Sequence, residues 1–273
     1  MVAAIADDSA ASTVLSLAGA IATLYRAAVE AVHVGEAHAR LAATAQSAGV
    51  CLRTVPGRPV EVLTHVAGAE DVVAVAIGAG GSASHDDPAG GTVMALLPSL
   101  EKPVVVVPAN ARVAHAIESM LVPLDGTAAS ATALHEIVTL AADAEIKIVV
   151  AHVHQERSLP AFSDHLAHEV RAWSEEFLAR YCPSAIEVTL ESRVGEPHEH
   201  LLDILRRSGC DLVALGWSQD LARGRAAVVR RMLAESPVPV LLTPASSDSV
   251  TVSRAQPPAR TFNGVMRVTL QAG

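Results

Sequence analysis

Asp71-Val-Val-Ala-Val-Ala-Ile-Gly-Ala-Gly-Gly81, followed after a spacer of nine residues by Gly91-Thr92, is the stretch that decides the fold. The run 71–77 is short, apolar and rich in valine, and glycines close it, so it reads as a buried β-strand. Glycines directly after a strand let backbone N–H groups come close to an anion. Gly91-Thr92 then opens a helix whose first amides lack intrahelical partners and whose dipole end is positive. Strand, glycine turn and helix in that order read as a phosphate cradle at the carboxyl end of a strand.

Working outward, the same features recur. Val2-Ala-Ala-Ile-Ala-Asp7-Asp-Ser9 matches Met120-Leu-Val-Pro-Leu-Asp125-Gly-Thr127, a displacement of 118 residues from Asp7 to Asp125. Ala31-Val-His33-Val34 matches Val150-Ala-His152-Val153, displaced by 119. Gly57-Arg-Pro59 matches Gly195-Glu-Pro197, and the strand ending at Gly78 matches Asp211-Leu-Val-Ala-Leu-Gly216, both displaced by 138. The chain therefore reads as a tandem duplication, with an insertion of about nineteen residues in the second copy around 154–181. Pro103-Val-Val-Val-Val107 and Pro239-Val-Leu-Leu-Thr243 close the two copies.

Each copy alternates β-branched runs with longer Ala/Leu-rich stretches such as 10–25 and 128–142, the rhythm of a parallel sheet covered by helices. In the first copy strands are expected near 2–6, 29–34, 51–55, 71–77 and 103–107. Ser9 and Thr127 are the expected helix caps after the first strands. The domains run 1–112 and 113–245. Residues 246–273, with Ser-Ser-Asp-Ser and Gln-Pro-Pro-Ala, read as a mobile C-terminal tail. Within the insertion, Val170, Trp173, Phe177 and Leu178 fall on one face of an amphipathic helix.

Composition narrows the function classes. The 273 residues are 51% hydrophobic and only 3% aromatic, so the cores are aliphatic. A net charge of -9, with no cluster of Lys or Arg, argues against nucleic acid and anionic membranes as partners. Cys51, Cys182 and Cys210 form neither a CxxC nor an even framework, which suits a reducing cytoplasm. The first residues carry Asp7 and Asp8 and no basic region, unlike a signal peptide, and no apolar run approaches a bilayer's thickness. The expected localisation is cytoplasmic.

Taken together, the Asp-x-Ser/Thr after strand one, the His-Val ending strand two, the Gly-x-Pro, and the pattern G-x2-G-x9-G-[ST] resemble the universal stress protein family in its tandem two-domain form. The resemblance covers about residues 1–245. It implies an α/β fold of two tandem doubly wound, Rossmann-like domains, each a five-stranded parallel sheet of order 3-2-1-4-5 flanked by helices. It also implies an adenine nucleotide, ATP, AMP or cyclic AMP, held mainly by the first domain, with Mg2+ as an accompanying ion. Asp7 and Val34 then lie near the adenosine, Ile77 and Gly78 under base and ribose, and Gly81, Gly91, Thr92 and Val93 around the phosphates. The second-copy equivalents are Asp125, Val153 and Gly216. Gln219 and Ala226 stand there in place of glycines, so that copy is expected to be degenerate, although Arg223 and Arg225 add positive charge.

The spacer before Gly91 carries Asp86 and Asp87 where a cation would favour a triphosphate, which keeps AMP and cyclic AMP beside ATP as ligands. The expected role is a stress-response or signalling module without fast turnover. The alternatives are a slow ATP-hydrolysing enzyme of the same fold and a non-binding partner-interaction protein. No catalytic residue is assigned, since neither G-x-S-x-G nor H-E-x-x-H occurs. Gly78-Ala-Gly80-Gly-Ser-Ala83 fits a loose dinucleotide fingerprint, but it follows the fourth strand rather than the first. No metal site is assigned either: His33 and His152 are repeat-equivalent strand-end residues, and the clusters 152/154, 165/168 and 198–200 would need three ligands converging in space, which spacing alone does not establish. The family's dimers imply that 103–107 and 239–243 pair within this chain as an intramolecular pseudo-dimer, and a homodimer of the tandem unit is compatible with this.

Overall fold

A computed structural model describes residues 1–6, 8–80, 88–124, 128–154, 188–221, 226–244 and 266–270. In chain order the first elements are β1 (Val2–Ala4), α1 (Ala11–Leu24), β2 (Glu30–Val34), α2 (Ala39–Ser47), β3 (Cys51–Val55), α3 (Pro59–Ala67), β4 (Val75–Gly78), α4 (Gly91–Leu96) and β5 (Val104–Val107). They are followed by β6 (Ser119–Leu124), α5 (Ala128–Asp143), β7 (Lys147–His154), β8 (Val188–Val194), α6 (Pro197–Ser208), β9 (Leu212–Trp217), α7 (Ala227–Glu235), β10 (Val240–Pro244) and β11 (Met266–Leu270). Two compact units result, Met1–Ile117 with Trp217–Pro244, and Glu118–Gly216 with Ala245–Gly273. Neither unit is contiguous, so spatial units and sequence repeats do not coincide: the closing helix and strand of the second repeat belong to the first unit.

In the first unit β1 pairs parallel with β2 on one side (Ala3↔Ala31) and with β4 on the other (Ala3↔Ala76). β3 joins β2 and β5 joins β4, both parallel, which gives the expected order 3-2-1-4-5. Antiparallel to β5 lies β10, with Leu241 opposite Val105. Val104–Val107 are at most 2% exposed. Such continuous burial, without alternation, is what a strand covered on both faces requires. Leu15, Leu17 and Ile21 of α1 are fully buried, and α1 packs on β4 and β5. Each such side chain contributes about 1.5–3 kcal/mol when removed from water.

The start of α1 differs from expectation. Ala10, not Ser9, is the cap residue and offers no side-chain bond. Instead Asp8 Oδ1 accepts the Ala10 N–H at 2.9 Å, so the residue one place earlier turns the chain. Thr127 lies outside the described residues.

The second unit orders its strands β11-β8-β7-β6-β9, all described pairings being parallel. Its β8-β7-β6-β9 core repeats the β3-β2-β1-β4 core of the first unit. The repeats also share details. His33 Nδ1 lies 2.9 Å from the Ile5 carbonyl and His152 Nδ1 lies 3.1 Å from the Leu124 carbonyl, each across 28 residues. Gly57 and Gly195, each before a helix begun by proline, have φ of 136° and 135°.

Part of the segment read as a tail is a strand: Met266–Leu270 pairs parallel with β8, Val268 opposite Leu190. Met-Arg-Val-Thr-Leu alternates apolar and polar residues over a span that the preceding Gln-Pro-Pro tract conceals. The rest of 245–273 and the amphipathic insertion helix with Val170, Trp173, Phe177 and Leu178 lie outside the described residues, as do Arg223 and Arg225.

Candidate functional site

A cavity of about 480 Å³ opens at the carboxyl ends of β1, β2 and β4. From β1 the chain first adds β2 on one side and later β4 on the other, so the cavity sits where the strand order reverses, the usual ligand position in open α/β sheets. Its volume lies within the range of small-molecule sites, ~300–1,000 Å³. Ile5 and Ala6 follow β1 into it, His33 and Val34 enter from the end of β2, and Ile77 and Gly78 from the end of β4. Val14 of α1, Leu63 of α3 and Gly90–Val93 complete the walls.

Glycines are required at two places. A Cβ on Gly78 would stand 3.1 Å from Val14 Cγ2, so its absence lets α1 lie close over β4. Gly90 has φ of 89°, and a Cβ there would fall 1.9 Å from the Gly80 carbonyl oxygen, a contact no side chain can make. The Gly80 N–H donates to the Ala89 carbonyl at 3.2 Å, and the Ala79 N–H to the Val107 carbonyl at 2.7 Å. The two ends of the glycine loop are thus stapled together, and two of its amides are committed to the protein. Gly91 is different: open space lies where its Cβ would be. It begins α4, a helix of 6 residues.

Polar groups are few. Asp8 is exposed and lines the cavity, one carboxylate oxygen already holding the Ala10 N–H. The Ile5 carbonyl can only accept, so His33 Nδ1 carries the proton between them. Among the described residues that line the cavity there is no Lys or Arg. Nor do the described residues contain a group of three His, Cys, Asp or Glu placed to hold a metal.

The structure brings Val34, Ile77, Gly78, Gly91, Thr92 and Val93 together around this one cavity. Asp7 and Gly81 lie outside the described residues. In the second unit Val153 and Gly216 stand on β7 and β9, the strands on either side of β6, and Asp125 lies outside the described residues. Gln219, at the position equivalent to Gly81, keeps a glycine-like φ of 60° and donates through Nε2 to the Leu100 carbonyl at 2.6 Å. Sequence reasoning missed Asp8, which adjoins Asp7, and Gly90, the first of a glycine pair. It read His33 as structural only, whereas His33 both joins β1 to β2 and lines the site.

Fold and site together define a doubly wound α/β protein with a crevice at the carboxyl ends of the central strands of its first unit. Residues 116–244 match the model of the universal stress protein family. The match falls on the second repeat, while the described cavity is built by the first. A universal stress protein from Archaeoglobus fulgidus DSM 4304 is 16% identical with a TM-score of 0.66, the likeness covering 90% of this chain and 97% of that one. A functionally unknown protein from Pseudomonas aeruginosa PAO1 is 13% identical with a TM-score of 0.62, covering 89% and 92%. A universal stress protein in complex with cAMP is 19% identical with a TM-score of 0.37, covering 48% of this chain and 98% of its own. At these identities the first two establish a shared fold. No curated protein matches the sequence. No helix among the described residues is long and apolar enough to cross a membrane.

Proposed function

We propose that the cavity of the first unit binds an adenine nucleotide and that the chain acts as a nucleotide-responsive stress or signalling module. The observation that carries this reading is the convergence of Val34, Ile77, Gly78, Gly91, Thr92 and Val93 on one cavity at the strand-order reversal. Val34, Ile77 and Leu63 offer an apolar slot suited to a purine. The Asp8 carboxylate accepts hydrogen bonds from amino or hydroxyl groups, and Thr92 supplies a hydroxyl at the opening of α4. ATP, AMP and cyclic AMP all fit this reading, ATP with Mg2+ as its counter-ion. The antiparallel pairing of β5 with β10, the closing strands of the two repeats, supports an intramolecular pseudo-dimer as the assembly.

Gly91→Asp is the informative variant, because its Cβ meets nothing within 4 Å and its backbone is not left-handed, so the fold should survive while a carboxylate enters the cavity. Calorimetry with ATP, AMP and cyclic AMP is expected to detect binding to the natural chain and none to Gly91→Asp. Chromatography of ligand released by heat from purified protein is expected to show an adenine compound. A chain that releases none and binds none of the three would end this reading.

A further inference from the structure

We propose that β3 is an interaction surface for a second copy of this chain: two β3 strands pair antiparallel about a two-fold axis at Arg53, so that two first units share one continuous sheet. β3 ends the sheet of the first unit, and among the described residues β2 is its only strand partner. Cys51, Arg53 and Thr54 are exposed. The Gly35 N–H donates to the Val55 carbonyl at 2.9 Å, and in a parallel ladder alternate residues face the same neighbour, so Cys51, Arg53 and Val55 turn their backbone groups to β2. Leu52 and Thr54 turn theirs outward. Beyond them the ladder stops on both sides, because the Val50 N–H is given to the Ala45 carbonyl at 3.0 Å and Pro56 has no N–H. The free edge is therefore symmetric about Arg53, and one antiparallel register uses all of it: Leu52 of each copy opposite Thr54 of the other. Leu52 opposite Leu52 would face Thr54 with the committed amide of Val50, and Thr54 opposite Thr54 would face Leu52 with Pro56.

The chain already contains this geometry. The repeat-equivalent strands β5 and β10 pair antiparallel with Val105 opposite Leu241, while Val106 and Val104 stand opposite Val240 and Leu242. Val105 turns its backbone groups to β4, as Arg53 does to β2. The second-repeat equivalent of β3 is β8, and its outer edge accepts the 5 residues of β11. β3 has none of the devices that keep an edge strand solitary: it contains no Lys and no Pro, and its pairing with β2 runs without a bulge. Its one charge is held laterally, Arg53 Nε lying 3.1 Å from Glu30 Oε1 and Nη2 3.3 Å from Oε2. Two such pairs meeting at the axis form a neutral row, which offsets the repulsion of opposed arginines.

The test is sedimentation of the full chain over a concentration series, beside two variants at an exposed position. Thr54→Pro removes an outward N–H, as an edge strand tolerates, and Thr54→Val keeps it. The natural chain and Thr54→Val are expected to dimerise alike. Thr54→Pro should raise the dissociation constant about tenfold or more, the size of two lost hydrogen bonds per dimer. Register is read by disulfide formation in a Cys51→Ser, Cys182→Ser background. Arg53→Cys places two thiols across the axis with Cα atoms ~4.5 Å apart, within disulfide reach, so air oxidation should link two copies, and Leu52→Cys should link far more slowly. A natural chain that stays monomeric at every concentration, leaving the edge to another protein or to none, overturns the proposal. So does a dimer that Thr54→Pro leaves intact, or an Arg53→Cys chain that links no faster than Leu52→Cys. Should Thr54→Pro fail to fold, the linking rates decide.

Discussion

Gly90 and Gly91 are neighbours with opposite tolerances. Gly90 combines a left-handed backbone with a Cβ position 1.9 Å from a carbonyl oxygen, and Gly91 has neither constraint. Gly90→Ala is therefore expected to lower stability by about 2 kcal/mol or more, from backbone strain and overpacking together. Gly91→Ala should be neutral or stabilise by up to ~1 kcal/mol, since alanine is the better helix former. Urea titration of the two variants against the natural chain separates them. The spaced pattern in the sequence drew attention to Gly91 because ligand-facing glycines have a recognisable spacing. Which of two adjacent glycines carries the strained backbone depends on the Gly80 carbonyl, a tertiary neighbour that no local pattern encodes. The cysteines make a second contrast at this scale. Cys51 is exposed and Cys210 is buried. Burial pushes the Cys210 thiol above its ordinary value of 9.0, with hydrogen bonds to Ser208 and Ser119 acting in the opposite direction. The folded state thus holds this proton more tightly than the unfolded chain does. Its contribution to stability is intact below the ordinary thiol value and is lost as pH rises beyond it. In a Cys182→Ser background, thiol reagents at pH 7 should label Cys51 at once and Cys210 only on unfolding. Equal labelling rates for the two would contradict the burial.

At the level of elements, the paired histidines show how much of the fold a sequence can disclose. The His-Val endings of the second strands were legible as repeat-equivalent, and the hydrogen bonds from His33 to the Ile5 carbonyl and from His152 to the Leu124 carbonyl supply the reason. Each joins the end of the second strand of its repeat to the end of the first. Asn places an amide nitrogen about where Nδ1 sits, so His33→Asn should retain most of the stability that His33→Ala loses, about 1 kcal/mol for a partly buried bond. Thermal denaturation of the two variants measures the difference. The strands themselves were legible wherever valine runs made burial continuous, as in Val104–Val107. The start of α1 was not: Ser9 is the capping type expected there, whereas the helix begins after Ala10 and Asp8 holds the Ala10 N–H from outside it. β11 was hidden for another reason: five alternating residues carry little local signal, and their pairing with β8 is a long-range event. Deleting 245–273 should accordingly increase hydrogen exchange at those β8 amides that point away from β7, while amides facing β7 keep their protection.

For the whole molecule, the difference between repeat and spatial unit has a direct consequence. The first repeat, read as 1–112, falls within Met1–Ile117 of its unit, but the unit also contains Trp217–Pro244, including β10 along the edge of β5. Gln219 adds to that association by donating to the Leu100 carbonyl. A fragment ending at residue 117 would expose the backbone edge of β5, whose four valines are otherwise almost wholly buried. An unpaired apolar edge of that kind is a template for pairing with another chain. Residues 1–117 alone should therefore self-associate through β5 or precipitate, whereas a chain ending at 244 retains the β10 partner and should not associate through that edge. Sedimentation of the two chains over a concentration series distinguishes the cases. In the fragment, Val106→Pro removes a donor from the exposed edge, because Val104 and Val106 turn their backbone groups toward β10 and Val105 toward β4, and it should reduce association. A monomeric, stably folded 1–117 fragment would mean that β10 is dispensable to the first unit. The boundary of folding would then lie near the repeat boundary at 112 read from the sequence.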